Sequence, residues 1–418
     1  MKKTMAAPSH SQLTDGQGYR RNSTTGVDAT GGPSSSQKKI TLICVHWAAL
    51  LGPFIAQQHR RHQRAFLKSA RPKGLKSGPS GGGLKDFMLT RAYPKVVILC
   101  PAVITGGPEA MHQLCDAINK AGGSAVLVYY DGASMLDLSD NMIASKPILS
   151  ADFLDSYRNY DAPHEEMVNL SSDMLVVFPE TLALPAFSFR GCQRAVWWLS
   201  VDNGIGLEPL FSYKQFCDGY FNDQTLIHFY QSDYARNFLM DHGARTIYPL
   251  FDYINRGFLQ RGPLPLKQAL VSFFPAKGRA LADSFFEHAK DLPSVAIENM
   301  SPQEVSDTLR QTSVYIDFGH HPGKDRVPRE AAVSGNIVFI HSKGAGCHFL
   351  DYPLDQFFIF TMVDIKTGDL AQKVRACLAN HAHYHHQQWL YRRRIENELE
   401  EFALQVKTSF FTGSLIAT

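Results

Sequence analysis

The chain predicts an α/β protein built from two doubly wound, Rossmann-like domains. Three observations carry this. From Lys95 onward, apolar strand-like runs alternate with stretches of helical periodicity. The runs are continuous rather than alternating, as in VVILC (Val96 to Cys100) and IVFI (Ile337 to Ile340), which is the pattern of strands buried on both faces of a parallel sheet. The series also restarts: after the Pro- and Gly-rich stretch RGPLPL (Arg261 to Leu266), a second set of strand-helix units begins. Ligands of doubly wound sheets bind at the carboxyl ends of the strands, so two such edges can face one another across a cleft.

In the first series VVILCPA (Val96 to Ala102) is the opening strand. Met111, Leu114, Cys115 and Ile118 then recur at helical spacing, and Gly122-Gly123 stop that helix. AVLVYY (Ala125 to Tyr130), MLVVFPE (Met174 to Glu180), AVWWLSV (Ala195 to Val201) and TLIHFYQS (Thr225 to Ser232) continue as strands. SDYARNFLMDHGA is a short helix ended by Gly243, and TIYPL (Thr246 to Leu250) is a short strand. In the second series ALVSFFP (Ala269 to Pro275) is a strand, 279–290 a helix and SVAIENM (Ser294 to Met300) a strand. SPQE (Ser301 to Glu304) is a capping box that opens the next helix. FFIF (Phe357 to Phe360) is a further strand. From Leu370 to Val406 the chain reads as helical, with Arg392, Arg393, Arg394, Glu396, Glu398 and Glu400 on solvated faces.

The 418 residues are 44% hydrophobic and 19% charged, with a net charge of +3. That balance is ordinary for a soluble protein and gives no argument for nucleic acid as a partner. The seven cysteines are odd in number, scattered and without a C-x-x-C pair, so they read as reduced, buried thiols of a cytoplasmic protein. Residues 1–38 are rich in Ser, Gly, Thr and Gln and are expected to be disordered. ITLICVHWAALLGPFIA (Ile40 to Ala56) follows, flanked by Lys38-Lys39 and by Arg60, Arg61 and Arg64. It falls short of the ~20 apolar residues of a spanning helix. Three readings stay open: a short membrane anchor, peripheral membrane association through residues 40–64 helped by the basic flank, or an extension that packs or frays. The run is too far from the N-terminus, and lacks the cleavage site, for a secretory signal. GLKSGPSGGG (Gly74 to Gly83) is a flexible linker. The expected organisation is 1–38 disordered, 39–90 apolar and basic segment with linker, 91–255 first domain, 256–390 second domain, and 391–418 C-terminal helix and tail.

The stretch Val314 to Ile340, VYIDFGHHPGKDRVPREAAVSGNIVFI, is the most specific in the chain. It reads as a strand, a Gly- and Pro-rich basic loop, a short helix and a second strand. Pro328 suits the first helical turn, Glu330 falls in that turn, and Gly335 ends the helix as a left-handed cap. Lys324, Arg326 and Arg329 are thereby delivered to a helix N-terminus beside a sheet edge, where free N–H groups and the helix dipole favour a phosphate. Glu330 can accept hydrogen bonds from sugar hydroxyls.

Here the chain resembles the GT-B-fold glycosyltransferases, whose second domain carries a helix ending in a Glu-Ala pair, a small residue and a Gly before a buried strand. Glu330-Ala331-Ala332-Val333-Ser334-Gly335 matches that run. Many retaining members carry another Glu eight positions earlier; here that position is Pro322. GGPEAMHQLCDAI, with Gly106, Gly107 and Glu109, is similar to the Gly-Gly plus Glu opening of the family's first domain, which lines the cleft near donor phosphate and acceptor; a plain tight turn is the alternative. SFFPAKGRA is similar to the family's strand, loop and Lys-Gly facing the donor pyrophosphate, which implies Lys277 first and Arg279 second as phosphate ligands. YQSDYARNFLMDHGARTIYPLFDY resembles the closing part of the first domain.

The resemblance implies transfer of a sugar from a nucleotide-diphosphate donor, bound by the second domain, to a hydroxyl of a saccharide, lipid-linked or similar acceptor on the first. Lys277, Lys324 and Arg326 would offset the leaving diphosphate, and Glu330 would hold the ribose or the donor's hydroxyls. Asp202, at the end of the strand AVWWLSV, would be a general base toward the acceptor or would bind it; Asp202-Asn203-Gly204 as a simple turn is the alternative. Trp197 and Trp198 read as core, and at most one can line the cleft, because neighbours on a strand point to opposite faces. His320 and His321 are expected to donate hydrogen bonds to phosphate or sugar, and HAHYHH (His381 to His386) to form a polar helix face. No metal and no cofactor is called for. A sugar-nucleotide epimerase or phosphorylase, or a silent binding protein on the same fold, are the rivals.

Overall fold

A computed structural model describes residues 93–131, 136–205, 214–259 and 265–412. The expectations for residues 1–38, the 40–64 segment and the Gly-rich linker lie outside the described residues. Among the described residues no helix is long and apolar enough to cross a membrane.

In chain order the first series is β1 (Lys95–Pro101), α1 (Gly106–Lys120), β2 (Ala125–Tyr130), β3 (Asp137–Leu138), β4 (Met142–Ala144), α2 (Ala151–Tyr157), β5 (Met167–Asn169), β6 (Met174–Pro179), α3 (Ala183–Ser188), β7 (Gln193–Trp198), α4 (Val201–Ile205), α5 (Lys214–Phe221), β8 (Leu226–Tyr230), α6 (Asp233–Asp241) and β9 (Ile247–Pro249). The second is β10 (Gln268–Phe273), α7 (Arg279–His288), β11 (Ser294–Ala296), α8 (Pro302–Gln311), β12 (Thr312–Asp317), α9 (Arg326–Val333), β13 (Ile337–His341), β14 (Ile359–Phe360), α10 (Met362–Lys366), α11 (Asp369–Ala379), α12 (His381–Gln387) and α13 (Trp389–Lys407).

The two series form two parallel sheets. The first has the order β2-β1-β6-β7-β8-β9 and the second β11-β10-β12-β13-β14. In each, the strand order reverses beside the opening strand, between β1 and β6 and between β10 and β12. A doubly wound sheet leaves its ligand crevice at such a reversal, because the crossovers leave toward opposite faces there. The loops at those carboxyl ends are 102–105 and the Glu180 turn in the first sheet, and 274–277 and 318–325 in the second. A small antiparallel sheet, β3-β4-β5, was not foreseen; its strands are too short to show a period.

The continuous apolar runs are buried on both faces, as expected. Trp197 and Trp198 are both fully buried and belong to cores on opposite faces of the first sheet. Their indole N–H groups donate to the Leu250 carbonyl at 2.8 Å and to His228 Nδ1 at 3.1 Å, so neither is a cleft platform. The capping box at Ser301 and Glu304 forms as read. α9 begins two residues earlier than expected, with Asp325 as N-cap, so Arg326 is its first residue and Glu330 lies one turn further in. Gly335 has φ 87°, and the Gly335 and Asn336 N–H groups close a Schellman cap onto Ala332 and Ala331.

α13 corrects one expectation. Its 19 residues reach roughly 28 Å at ~1.5 Å per residue. Tyr391 and Ile395 enter the core of the second sheet, and Phe402 and Val406 that of the first. Glu398, read as solvated, is 5% exposed between them, because it meets Arg329 there.

Candidate functional site

The carboxyl edges of the two sheets meet through the loop 319–325. The Val201 N–H donates to the Pro322 carbonyl at 2.8 Å. The Gln231 side chain accepts from the Lys324 N–H at 2.9 Å and donates to its carbonyl at 3.2 Å. Gly323 has no room for a side chain: a Cβ there would lie 2.1 Å from the Leu199 carbonyl oxygen. Asp351 closes the seam further along, accepting from the Asp233 and Tyr234 N–H groups at 2.7 and 3.0 Å, at the start of α6.

Three clusters gather most of the residues singled out in the sequence. The first joins the N-terminus of α1 to α9. Arg326 pairs with Glu109, which also accepts from the Tyr160 hydroxyl at 2.7 Å. A Cβ on Gly106 would lie 2.8 Å from Arg326 Cδ, whereas Gly107 faces open space. Burial works to raise the Glu109 carboxyl, but Arg326 and Tyr160 outweigh it and hold it below its ordinary value. Glu330 is 9% exposed and lies 3.7 Å from Arg326 Nε, beyond hydrogen-bond distance. Burial raises its carboxyl, and the opposing pull of Arg326 and Arg329 does not cancel that. Its oxygens retain capacity to accept from hydroxyl donors.

The second cluster spans the seam. His320 Nε2 meets Asp202 Oδ2, and the Tyr234 hydroxyl donates to Asp202 Oδ1 at 3.0 Å. Asp202 is not in a simple turn: it lies in the first turn of α4, at the carboxyl end of β7. The third cluster lies under the loop. Lys277 Nζ is 2.7 Å from Asp325 Oδ1, and His321 Nδ1 is 3.0 Å from Asp325 Oδ2. Burial would lower the Lys277 ammonium; Asp325 and Asp317 reverse that and raise it. His321 is fully buried, and its Nε2 has no hydrogen-bond partner. Asp317, His321 and Asp325 bring ligand-type atoms within 4.8 Å of one another, yet the Lys277 ammonium already sits on Asp325.

Three basic residues go elsewhere. Arg279 makes an exposed pair with Glu298 at 2.5 Å. Lys324 Nζ lies over the Phe251 ring at 4.4 Å and 3.8 Å from Glu398. Arg329 does not reach the crevice: it is 1% exposed and bonded to Asp252 at 2.8 Å and Glu398 at 2.9 Å. Residues that sequence reasoning passed over include Tyr234, Asp325 and Glu180. Glu180 follows β6 at the reversal of the first sheet, and burial pushes its carboxyl up to about 7. Its position after a strand ending in Pro179 was the signal that could have found it. A cavity of about 610 Å³ opens at the opposite, amino-terminal edge of the second sheet, beside Lys267, Ser313 and His381, away from these clusters.

No family model and no curated protein matches the chain. Solved structures do. A glycosyltransferase from Rickettsia africae ESF-5 superposes with a TM-score of 0.50 at 10% identity, covering 77% of this chain and 99% of that one. HepE of Anabaena, solved in complex with UDP and glucose, superposes with a TM-score of 0.51 at 10% identity, covering 75% and 98%. The two-sheet architecture is therefore the GT-B fold, as the resemblance read from the sequence implied.

Proposed function

We propose that this chain is a glycosyltransferase that moves a sugar from a nucleotide-diphosphate sugar to a hydroxyl acceptor, saccharide or lipid-linked. The observation that carries this reading is the placement of Glu330, Arg326 and Lys277 around the reversal of the second sheet, opposite the Gly106-Gly107 opening of the first. A buried carboxylate short of hydrogen bonds suits ribose or sugar hydroxyls. Two cations beside a helix N-terminus suit a diphosphate, and offset the charge that grows on it as the glycosidic bond breaks. On this reading side chains supply that offset, without a cofactor. Arg326 and Lys277 now hold Glu109 and Asp325, so donor binding exchanges these carboxylates for phosphate oxygens. HepE was solved with UDP, which makes UDP-sugars the first donors to test.

A silent binding protein on the same fold is the second reading. It is favoured by Pro322 at the position of the family's earlier Glu and by the internal carboxylates on both cations. Thermal stability of the full chain is measured against UDP-, GDP-, ADP-, CMP- and dTDP-sugars, with Glu330→Ala beside it. A rise with one nucleotide that the variant loses is expected. No rise with any of them overturns the donor site. A rise without transfer to any acceptor moves the assignment to the silent protein.

A further inference from the structure

We infer that the cavity at the amino-terminal edge of the second sheet is a binding site for an amphiphilic anion, a carboxylate or phosphate monoester with an alkyl tail, whose head pairs with Lys267. The site lies at the opposite edge of the sheet from the donor crevice and stands apart from the glycosyltransferase reading.

The cavity is formed where several elements begin or end. Pro265, Leu266 and Lys267 lead into β10, and Ser313 lies at the start of β12. Leu378 lies at the end of α11, and His381 and Ala382 begin α12. At about 610 Å³ the cavity falls within the ~300–1,000 Å³ range of small-molecule sites. Its walls are mostly apolar, from Pro265, Leu266, Ala269, Leu378 and Ala382. Leu266 is 95% exposed, so apolar surface stands open for an alkyl tail to cover.

The polar side gathers cations. Lys267 Nζ donates to the Leu309 carbonyl at 2.9 Å and to the Ser334 carbonyl at 2.6 Å, at the carboxyl ends of α8 and α9. An ammonium carries three N–H groups, so one remains for a ligand. The charge that acts on Lys267 is Arg310, another cation, and among the described residues no carboxylate offsets it. His381 Nε2 bonds the Gly335 carbonyl at 3.1 Å, and its ring stacks on His385 at 5.3 Å. Arg392 of α13 adds its charge to both histidines. His385 Nε2 and Arg392 Nη1 are buried with no hydrogen-bond partner. A half-buried cation short of counter-charge is costly, and an anionic head on the third N–H supplies what the chain does not. The carbonyls at the two helix ends repel a bare anion. The head is therefore confined to the Lys267 side, and the apolar walls supply the rest of the binding.

A pH dependence follows. Burial, with Arg310 second, pushes the Lys267 amine down to about 7. Burial also lowers His381 and pushes His385 down to about 3, so both histidines are neutral above pH 7 and Lys267 is the group that titrates there. A bound anion favours the ammonium and raises its pKa. Affinity is then full below pH 7 and falls above it, about tenfold per unit until the bound amine also loses its proton.

The test is isothermal titration of the full chain with butanoate, hexanoate and octanoate, with octyl phosphate as the second head group and 1-octanol as the uncharged tail. Octanoate is expected to bind at one site per chain. Affinity rises about fourfold per methylene along the series, and at pH 7 octanoate binds at least tenfold tighter than 1-octanol. Lys267→Met removes that advantage. Ala382→Trp fills the cavity from an exposed position of α12 and removes octanoate and octanol binding alike. Glu330→Ala, in the donor crevice, changes none of this. The tighter of octanoate and octyl phosphate identifies the head. The assignment falls if neither anion binds better than octanol, if their affinity is the same at pH 7 and pH 9, or if Ala382→Trp leaves it unchanged. Should Lys267→Met unfold the chain by uncapping two helices, the pH series and Ala382→Trp still decide between these outcomes.

Discussion

Replacing Arg329 with Met is expected to destabilise the folded chain by about 3–5 kcal/mol, because it breaks a buried ion pair from one side. The guanidinium is 1% exposed and meets Asp252 at 2.8 Å and Glu398 at 2.9 Å. It also donates to the Lys324 carbonyl at 3.0 Å and the Asp325 carbonyl at 3.2 Å. Asp252 and Glu398 are themselves 4% and 5% exposed, so removing the cation leaves two carboxylates in a dry interior. Gln231 donates to Asp252 at 2.6 Å, and Lys324 lies 3.8 Å from Glu398; these partners hold the cost toward the lower end of the range. The three groups come from the end of the first series, α9 and α13, so the loss falls on the junction of the two sheets. Urea unfolding of the full chain at neutral pH reads it as a lower midpoint. Glu398→Gln in the Arg329→Met background removes one stranded charge and should return part of the loss. A cost under about 1 kcal/mol, or one that Glu398→Gln leaves unchanged, refutes the view that a charge triad holds this junction.

Further outcomes follow from single positions. Glu180 has its carboxyl raised by burial to about 7, so the protonated form is favoured by folding; the stability this lends is present below the ordinary carboxyl range and lost as pH rises through about 7. Glu180→Gln should flatten that fall, and melting temperatures of the two proteins that run parallel between pH 5 and 8 would count against it. Gly323→Ala places a Cβ 2.1 Å from the Leu199 carbonyl oxygen and 2.9 Å from Gln231 Oε1, and should cost about 1–3 kcal/mol by overpacking the seam. An unchanged melting temperature would mean the loop yields without loss.

How far the sequence was readable depends on range. The strands of both sheets and the cap at Gly335 were legible because a buried parallel strand, and a helix end needing positive φ, are written in consecutive residues. β3, β4 and β5 were not, because two or three residues carry no period. The site was legible in half: cations, glycines and Glu330 announce themselves locally, but their partners do not. Glu109 is 217 positions from Arg326, Asp252 is 77 from Arg329, and Asp202 is 118 from His320. Arg329 and Arg326 look equivalent in PGKDRVPRE. Only the fold separates them, because positions three apart on α9 face different surroundings, one toward α1 and one toward α13.

That division has a consequence for binding. The loop 319–325 and the start of α9 both close the seam and carry the groups assigned to the donor. Glu109 on Arg326 and Asp325 on Lys277 neutralise, in the closed arrangement, the charges a diphosphate would use. A donor then binds with an affinity reduced by the fraction of molecules whose cations are free, and every ~1.4 kcal/mol that favours the internal pairs weakens it tenfold. The internal carboxylates have a compensating effect. A largely enclosed Arg326 without a counter-charge would destabilise the fold, so the Glu109 that competes with the donor also keeps this cation in place before it arrives. Phosphate oxygens can repay the exchange because a doubly charged diphosphate meets both cations and the α9 N-terminus together, which neither carboxylate does alone.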